Sequence, residues 1–250
     1  MINMNPNQQI IERLKDDREY YAGIGKSYLS NSDIGLLLSN PKGYGKPRED
    51  NKSFAEGRYF HQSLIEPHKV INTPFVDVSS RNTKEYKNFC ETNNYDFVLL
   101  KKEIDELNSL VSLMKSNILF FEQIYKDGNQ YELPSVGEIM GLSWKGKADI
   151  VTDEMIIDLK TTSDINKFKY SARAYNYDSQ CYIYQNLFGK PLVFFVIDKE
   201  TGQLGIFKPT ENFVKGGEDK VRRAVDVYNK YFGPNKSEDI VNHYINETLD

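Results

Sequence analysis

Apolar positions along this chain change their spacing twice, and the changes divide it into three stretches. Up to about residue 126 the spacing is helical. A short helix is expected over 7–16. The segment YLSNSDIGLLLSNP reads as a helix started by Ser30 or Ser32 and stopped by Pro41. SFAEGRYFHQSLIEP (53–67) carries Phe54, Phe60 and Leu64 at helical intervals, with Ser53 as its cap and Pro67 just past its end. Further helices are expected over 84–92 and 103–126, the second with Ile104, Leu107, Leu110, Val111 and Met114 on one stripe. Between the second and third helices, KGYGKPREDNK (42–52) has the glycine, proline and charge of a loop.

From residue 131 the period shortens to that of strands, expected over 131–142, 144–151 and 155–160. A tyrosine-rich helix over 167–188 follows and closes at Gly189-Lys190-Pro191. LVFFVID and LGIFKP flank Lys199-Glu200-Thr201-Gly202 as a hairpin, and an amphipathic helix over 218–232 ends the pattern. The order predicts a mixed α/β fold in one domain. Its helical N-terminal lobe runs to about 126, its sheet and helices span about 127–232, and a peripheral tail covers 233–250.

The stretch WKGKADIVTDEMIIDLKTT puts charge where the pattern asks for core. Alternation sets Asp158 and Lys160 on one face of their strand, ~7 Å apart. A four-residue connection over 152–155 would pair Val151 with Ile156 and set Asp149 opposite Asp158. A three-residue connection would place Asp149 on the wrong face unless a bulge intervened. Two facing carboxylates repel unless a cation lies between them, and oxygen ligands suit Mg²⁺ or Mn²⁺. A neighbouring lysine can orient a water or offset charge on a phosphate, so the set points to phosphodiester hydrolysis. Gln180 and Tyr184 share a helix face and could hold a phosphate or buttress the lysine. His61 is a candidate third ligand, and an imidazole would favour Mn²⁺.

Bulk properties limit the alternatives. The 250 residues carry a net charge of −4, with 17 Tyr, 14 Phe and two cysteines without zinc-type spacing. The cysteines, Cys90 and Cys181, fit reduced thiols in a cytoplasmic protein. No apolar run reaches membrane-spanning length, and the first residues lack the apolar core of a signal peptide. The net charge does not suggest a chain coated for nucleic acid. The best local basic patch is Lys145, Lys147, Lys167, Lys169 and Arg173, interleaved with Tyr170, Tyr175 and Tyr177; Arg58 lies one turn before His61. Arg58 and Arg81 are the candidates for holding a terminal phosphate. The 42–52 loop is a candidate cover for the cleft. Against an enzyme stands the reading of a binding protein with an incidental charged hairpin.

Asp149, then IIDLK with Asp158 and Lys160, then Gln180-x-x-x-Tyr184, preceded by a helical His61, resembles the PD-(D/E)XK nuclease superfamily. The likeness is to the branch holding RecB-type nuclease domains and phage exonuclease VIII-like enzymes. It covers roughly residues 27–208, including LSNSDIGLLLSNPKGY and GEIMGLSWKGKADIV. The resemblance implies a restriction-endonuclease-like core, a central mixed sheet flanked by helices. It implies His61, Asp149, Asp158 and the Leu159 carbonyl as metal ligands and Lys160 as the catalytic lysine. Gln180 and Tyr184 would support them, and Glu138 would be the upstream glutamate. It implies a Mg²⁺- or Mn²⁺-dependent exonuclease acting on duplex DNA ends in phage-type recombination or DNA processing, in a bacterial or phage-infected cytoplasm. A homo-oligomer and a single-strand annealing protein are its implied partners. A structure-specific or restriction-type endonuclease is the alternative on the same fold. Gly-Lys-Ala stands before Asp149 where a Pro-Asp pair is common, and the region 73–130 matches nothing in the family pattern.

Overall fold

The computed structural model describes residues 6–246 and 248 apart from Arg48. The chain begins with helices α1 (Pro6–Leu14), α2 (Asp17–Tyr21) and α3 (Asn31–Ser39). Ser30 caps α3: its backbone N–H donates to Asp33 Oδ2 at 2.8 Å, a carboxylate at the positive end of the helix. Helix α4 (Lys52–Ile65) is capped by Asn51 rather than Ser53, through Oδ1 accepting the Phe54 N–H at 3.1 Å. Then come α5 (Pro67–Val70), β1 (Phe75–Val76), α6 (Lys84–Asn93), β2 (Leu99–Leu100), α7 (Lys101–Ser116) and α8 (Ile118–Ile124). The helix expected over 103–126 is thus two. Asn117 interrupts it in an extended conformation and accepts the Phe120 N–H at 3.3 Å, starting a new helix.

The second half supplies β3 (Gln130–Ile139), β4 (Leu142–Val151), β5 (Ile156–Thr162), α9 (Phe168–Ala174), α10 (Tyr177–Phe188), β6 (Leu192–Asp198), β7 (Leu204–Phe207) and α11 (Glu211–Tyr231). The expected 167–188 helix breaks where Asn176 takes a left-handed φ of 58°, a conformation asparagine tolerates better than most residues. The last long helix begins at Glu211, seven residues before its expected start, because Thr210 accepts the Phe213 N–H.

Strands β3-β4-β5-β6-β7 form one mixed sheet in that order, antiparallel except for the parallel β5–β6 pair bridged by α9 and α10. Every residue of β6 is buried, as expected of a parallel strand covered on both faces. On one face Ile156, Phe194 and Val196 pack with Ile34, Leu37, Ile183, Val221 and Ala224 from α3, α10 and α11. On the other, Ile150, Ile157, Phe195 and Ile197 pack with Phe60, Leu64, Leu107, Met114 and Phe120 from α4, α7 and α8. Helix α3 therefore joins α10 and α11 on one face of the sheet, while α4, α7 and α8 form a layer on the other. Their inner ends are tied by Glu103, which is buried. Its carboxylate takes Arg81 Nη1 at 3.0 Å, the Leu100 N–H at 2.9 Å and Lys52 Nζ at 3.0 Å.

The sheet has one interruption. The β3–β4 ladder runs the length of both strands, but β4 and β5 pair only at Ile150–Ile157 and Val151–Ile156. The connection is the four-residue form, secured by Thr152 Oγ1 accepting the Met155 N–H at 2.9 Å. Beyond Ile157 the two strands part. Farther along, Leu29 occupies the exposed edge of β4, donating its N–H to Ser143 O at 3.0 Å and accepting the Lys145 N–H at 2.8 Å. The gap between these contacts holds the candidate site.

Two outcomes test this packing. A methyl group on Gly217 would lie 2.0 Å from the Asp178 carbonyl oxygen, where α11 crosses α10. Gly217→Ala is expected to cost about 1–3 kcal/mol or more in a urea unfolding titration, despite the better helix propensity of alanine. Glu103 is buried, which raises its pKa, but Arg81, the Leu100 N–H and Lys52 outweigh this and hold it down to about 2. Its folded pKa lies below the ordinary glutamate value, so its stabilisation is present above that value and fades as pH falls toward 2. Glu103→Gln should therefore be less stable than wild type at pH 7, and the difference in urea midpoint should shrink between pH 4.5 and pH 3.

Candidate active site

The parting of β4 from β5 leaves the Leu159 N–H without a strand partner, and the Asp149 carboxylate supplies one: Leu159 N–H donates to Oδ2 at 2.8 Å. The other oxygen, Oδ1, lies 3.1 Å from His61 Nε2 on α4. The same ring nitrogen lies 3.2 Å from Glu132 Oε1. It is buried, yet neither contact is aligned as a hydrogen bond. Burial pushes the His61 pKa down, but Asp149 and Glu132 outweigh it and hold the imidazole well above its ordinary value. Burial pushes Asp149 up, and His61 and Lys160 reverse that to leave it below the usual carboxylate range.

Asp158 and Lys160 sit on the next strand and form an ion pair. Asp158 is 1% exposed. Gln180, on α10, donates from Nε2 to Asp158 Oδ1 at 2.5 Å. Burial pushes Asp158 up to about 6, with Lys160 opposing and Asp149 reinforcing the rise. The Lys160 ammonium lies 5.0 Å from the centre of the Tyr177 ring. Burial lowers its pKa, but Asp158 and Asp149 raise it further, so it carries its proton. The observed β4–β5 register is that of the four-residue connection, and it puts Asp149 and Asp158 on neighbouring strands. Their carboxylates engage different elements: His61 and the Leu159 amide for the first, α10 and Lys160 for the second.

Two acids beside His61 were not among the expected site residues. One ligand atom each from His61, Glu66 and Glu132 lie within 4.8 Å of one another. Glu66 follows the last residue of α4 and accepts from Lys69 at 2.7 Å. Glu132 is on β3 with a left-handed φ of 49°. The β3–β4 ladder pairs Tyr131 with Ile150 and Leu133 with Ala148, so Glu132 falls beside Asp149. Glu138, the expected upstream glutamate, is exposed at the far end of the hairpin opposite Ser143. The signal that identifies Glu132 is the turn. Met140 and Gly141 both have positive φ, 52° and 77°, as a two-residue hairpin turn of the primed type requires, and the register follows from it. Met140 is an unusual residue for such a turn, which concealed it.

The expected basic patch is divided. Lys145 and Lys147 are buried beneath the N-terminal helices. Lys145 Nζ donates to Tyr20 O at 2.5 Å, and Lys147 Nζ donates to Asp17 Oδ1 at 2.7 Å; both ammonium groups lie over the Tyr20 ring. They anchor α2 and are not available to a ligand. Tyr184 donates to Lys147 O at 2.9 Å and so braces β4 from behind. Arg173 faces α10 and α11, between Asp178 at 3.7 Å and the Phe213 ring at 4.9 Å. Lys169 is exposed over Tyr170. Arg81 is committed to Glu103 beneath the Phe97 ring. Of the expected patch, Arg58, Lys167, Tyr175 and Tyr177 line a cleft of about 710 Å³ with His61, Asp149, Leu159 and Lys160. That cleft opens at the carboxyl end of β5, the position where ligands enter open α/β sheets. Of the 42–52 loop, Asp50 pairs with Arg58 and Asn51 caps α4, so its end borders the cleft mouth.

Strands that split to expose an Asp–Asp–Lys set, backed by a glutamine on the following helix, define the PD-(D/E)XK class of nuclease folds. The chain belongs to the family described as PDDEXK-like domain of unknown function (DUF3799), whose profile matches residues 37–239. A solved structure from Eubacterium rectale, named only provisionally as an exonuclease, shares the fold with a TM-score of 0.62 at 20% identity, covering 94% of this chain and 96% of its own. A phage-related exonuclease from Haemophilus somnus 129PT aligns at 16% identity and a TM-score of 0.32, over 68% of this chain and 92% of its own; that likeness is too weak to carry an argument. No curated protein matches the sequence. Among the described residues no helix is long and apolar enough to cross a membrane.

Glu132→Gln is expected to weaken Mn²⁺ binding roughly tenfold or more by calorimetric titration, and Glu138→Gln to leave it unchanged. Lys147→Ala should lower the melting temperature, because it removes the buried ammonium that ties α2 to β4 through Asp17 and the Tyr20 ring, whereas Lys167→Ala should not.

Proposed function

We propose that the protein is a divalent-metal-dependent deoxyribonuclease that hydrolyses phosphodiester bonds from DNA ends, an exonuclease of the phage or DNA-processing type. The observation that carries this is the meeting of His61, Asp149 and Glu132 at the strand gap, with Lys160 lining the same cleft. The donor set fits a hard or borderline cation: one imidazole nitrogen, buried without an aligned hydrogen bond, among carboxylate oxygens. Mg²⁺ or Mn²⁺ is the expected ion, with His61, Glu132 and Glu66 as the donors within reach of one another and Asp149, Asp158 and the Leu159 carbonyl as further donors. When bound, such an ion supplies Lewis-acid polarisation of the phosphate and a more acidic water.

The chain's own groups have separable tasks. The Leu159 amide fixes one oxygen of Asp149 and so orients the other toward His61. Gln180 holds Asp158 in a buried position that its charge would otherwise resist. Lys160 remains protonated and presents its ammonium on the cleft floor, where it can offset negative charge gathering on the scissile phosphate. Tyr177 confines that ammonium from one side. Glu138, Lys145 and Lys147 have no part in this reading, and Tyr184 acts through the strand it braces. The provisional name of the Eubacterium rectale protein favours an exonuclease over an endonuclease. The cytoplasm of a bacterial or phage-infected cell, an annealing protein as partner and a ring-like oligomer belong to the same proposal.

The test is degradation of linear and covalently closed duplex DNA with Mg²⁺ or Mn²⁺. The expected result is loss of the linear form only, stopped by a chelator. Cutting of the closed circle would establish an endonuclease, and degradation of neither would overturn the assignment. Asp158→Asn and Lys160→Met should each reduce the rate by about a hundredfold or more with little change in far-ultraviolet circular dichroism.

A further inference from the structure

Helix α4 separates two cavities. One is the cleft, which this helix lines with Phe54, Gly57 and His61. The other, of about 270 Å³, lies between α4 and residues 95–99, and α4 lines it with Ala55, Tyr59 and Gln62. Those three positions recur at helical intervals, so they form one stripe, turned away from the stripe that faces the cleft. Arg58 lines both cavities.

The second cavity is built from aromatic rings that are already held in place. Tyr59, Tyr95 and Phe97 line it. Tyr59 donates its hydroxyl to Asn108 Oδ1 at 3.1 Å. The Arg81 guanidinium lies 4.4 Å from the centre of the Phe97 ring. Tyr95 stacks on Phe89, with ring planes 17° apart and centroids 6.2 Å apart. Each of these partners stands outside the cavity lining, so the rings are fixed without a ligand, and binding costs little further ordering. Tyr95 is nevertheless 42% exposed, a large ring left in water at the cavity mouth.

Polar groups stand on one side. Arg58 pairs with Asp50 through Nη2, and a guanidinium has five N–H donors, so others remain to meet an anion. Its planar fork matches the oxygens of a phosphate. Asp50 offsets part of that attraction, so a bare anion gains little and the rings must supply the rest. Gln62 adds an amide, which can both donate and accept. The volume falls just under the ~300 Å³ at which small-molecule pockets begin, room for one monomer and not for a polymer.

We propose that this second cavity binds a free nucleoside monophosphate, its base against the rings and its phosphate on Arg58, and that this occupant is the product of DNA cleavage in the neighbouring cleft. The source of the ligand rests on the nuclease reading above, to which the cavity adds feedback by product. A phosphate that fixes the Arg58 guanidinium on this side of α4 withdraws a cation from the cleft, so accumulating product slows cleavage. The coupling is reciprocal: DNA that engages Arg58 from the cleft weakens nucleotide binding by the same factor.

The experiment is calorimetric titration of the full chain in a chelator with 2′-deoxyadenosine 5′-monophosphate, 2′-deoxyadenosine, inorganic phosphate and a short single-stranded oligonucleotide. The monophosphate should bind once per chain, and the nucleoside and phosphate each about tenfold or more weaker. Tyr95→Ala should weaken the monophosphate about five- to a hundredfold, and Tyr95→Phe should retain it, since a ring suffices. Thr73→Phe should abolish binding by filling the cavity. Lys160→Met should leave it unchanged, because Lys160 lines only the other cavity. Loss in Lys160→Met, a requirement for Mn²⁺, or full binding by Tyr95→Ala would put the nucleotide in the cleft and overturn the proposal. Oligonucleotide binding as tight as that of the monophosphate, and lost in Tyr95→Ala, would overturn it in favour of a site for the polymer. Cleavage of linear DNA with Mn²⁺ is measured in parallel. The monophosphate should slow the wild type but not Tyr95→Ala, whose uninhibited rate should match the wild type; equal inhibition of both sinks the feedback. No cleavage by the wild type sinks the nuclease reading, while the titration in chelator still decides whether the cavity holds a nucleotide.

Discussion

The hydrogen bond from the Leu159 amide to the Asp149 carboxylate governs the arrangement of the site. Buried backbone donors must be paired, and in an unbroken sheet β4 would pair this one with its own carbonyl. Here β4 and β5 separate after Ile157, and a side chain takes over the role of backbone. The substitution has two results. It frees space between the strands at the middle of a sheet that is otherwise packed on both faces. It also fixes the carboxylate that must meet His61, because one of its oxygens is already committed.

The remaining structure keeps that gap open. Leu29 caps the exposed edge of β4, and the ammonium groups of Lys145 and Lys147 clamp α2 against the same strand. Tyr184 reaches Lys147 O from α10, and Gln180 on the same helix reaches Asp158. Helix α10 is thus a brace touching both strands on either side of the split. From the opposite face, α4 brings His61 at one end and Phe54 with Gly57 at the other, so a single helix spans the candidate metal site and the cleft. The acid-rich composition is consistent with this: carboxylates surround the site and neutralise the lysines and arginine of its cleft.

Much of this was legible in the residues. Alternation in IIDLK placed Asp158 and Lys160 together, and of the two connections the residues left open, the four-residue form has the observed β4–β5 register. The helix carrying His61 and the helix face carrying Gln180 and Tyr184 also followed from spacing. Composition misled where local sequence resembled surface. Lys145 and Lys147 look like solvated hairpin residues, yet they are buried because a distant helix pair supplies Tyr20 and Asp17. Glu138 is the upstream glutamate that the family resemblance implies, from the stretch GEIMGLSWKGKADIV. The turn's positive-φ pair at Met140–Gly141 sets the register that brings Glu132, not Glu138, to Asp149. Helix interruptions at Asn117 and Asn176 were missed because asparagine is a weak breaker unless its side chain or a left-handed φ is used.

By itself the sequence determined the periodic elements, the strand face shared by Asp158 and Lys160, and membership of a nuclease-like fold class, since these depend on near neighbours and short motifs. Only the tertiary structure decided which acids surround His61, which cations line the cleft and where β4 leaves β5. Those outcomes depend on partners tens to more than a hundred residues apart, as with Lys145 and Tyr20, and on whether a buried polar group finds one.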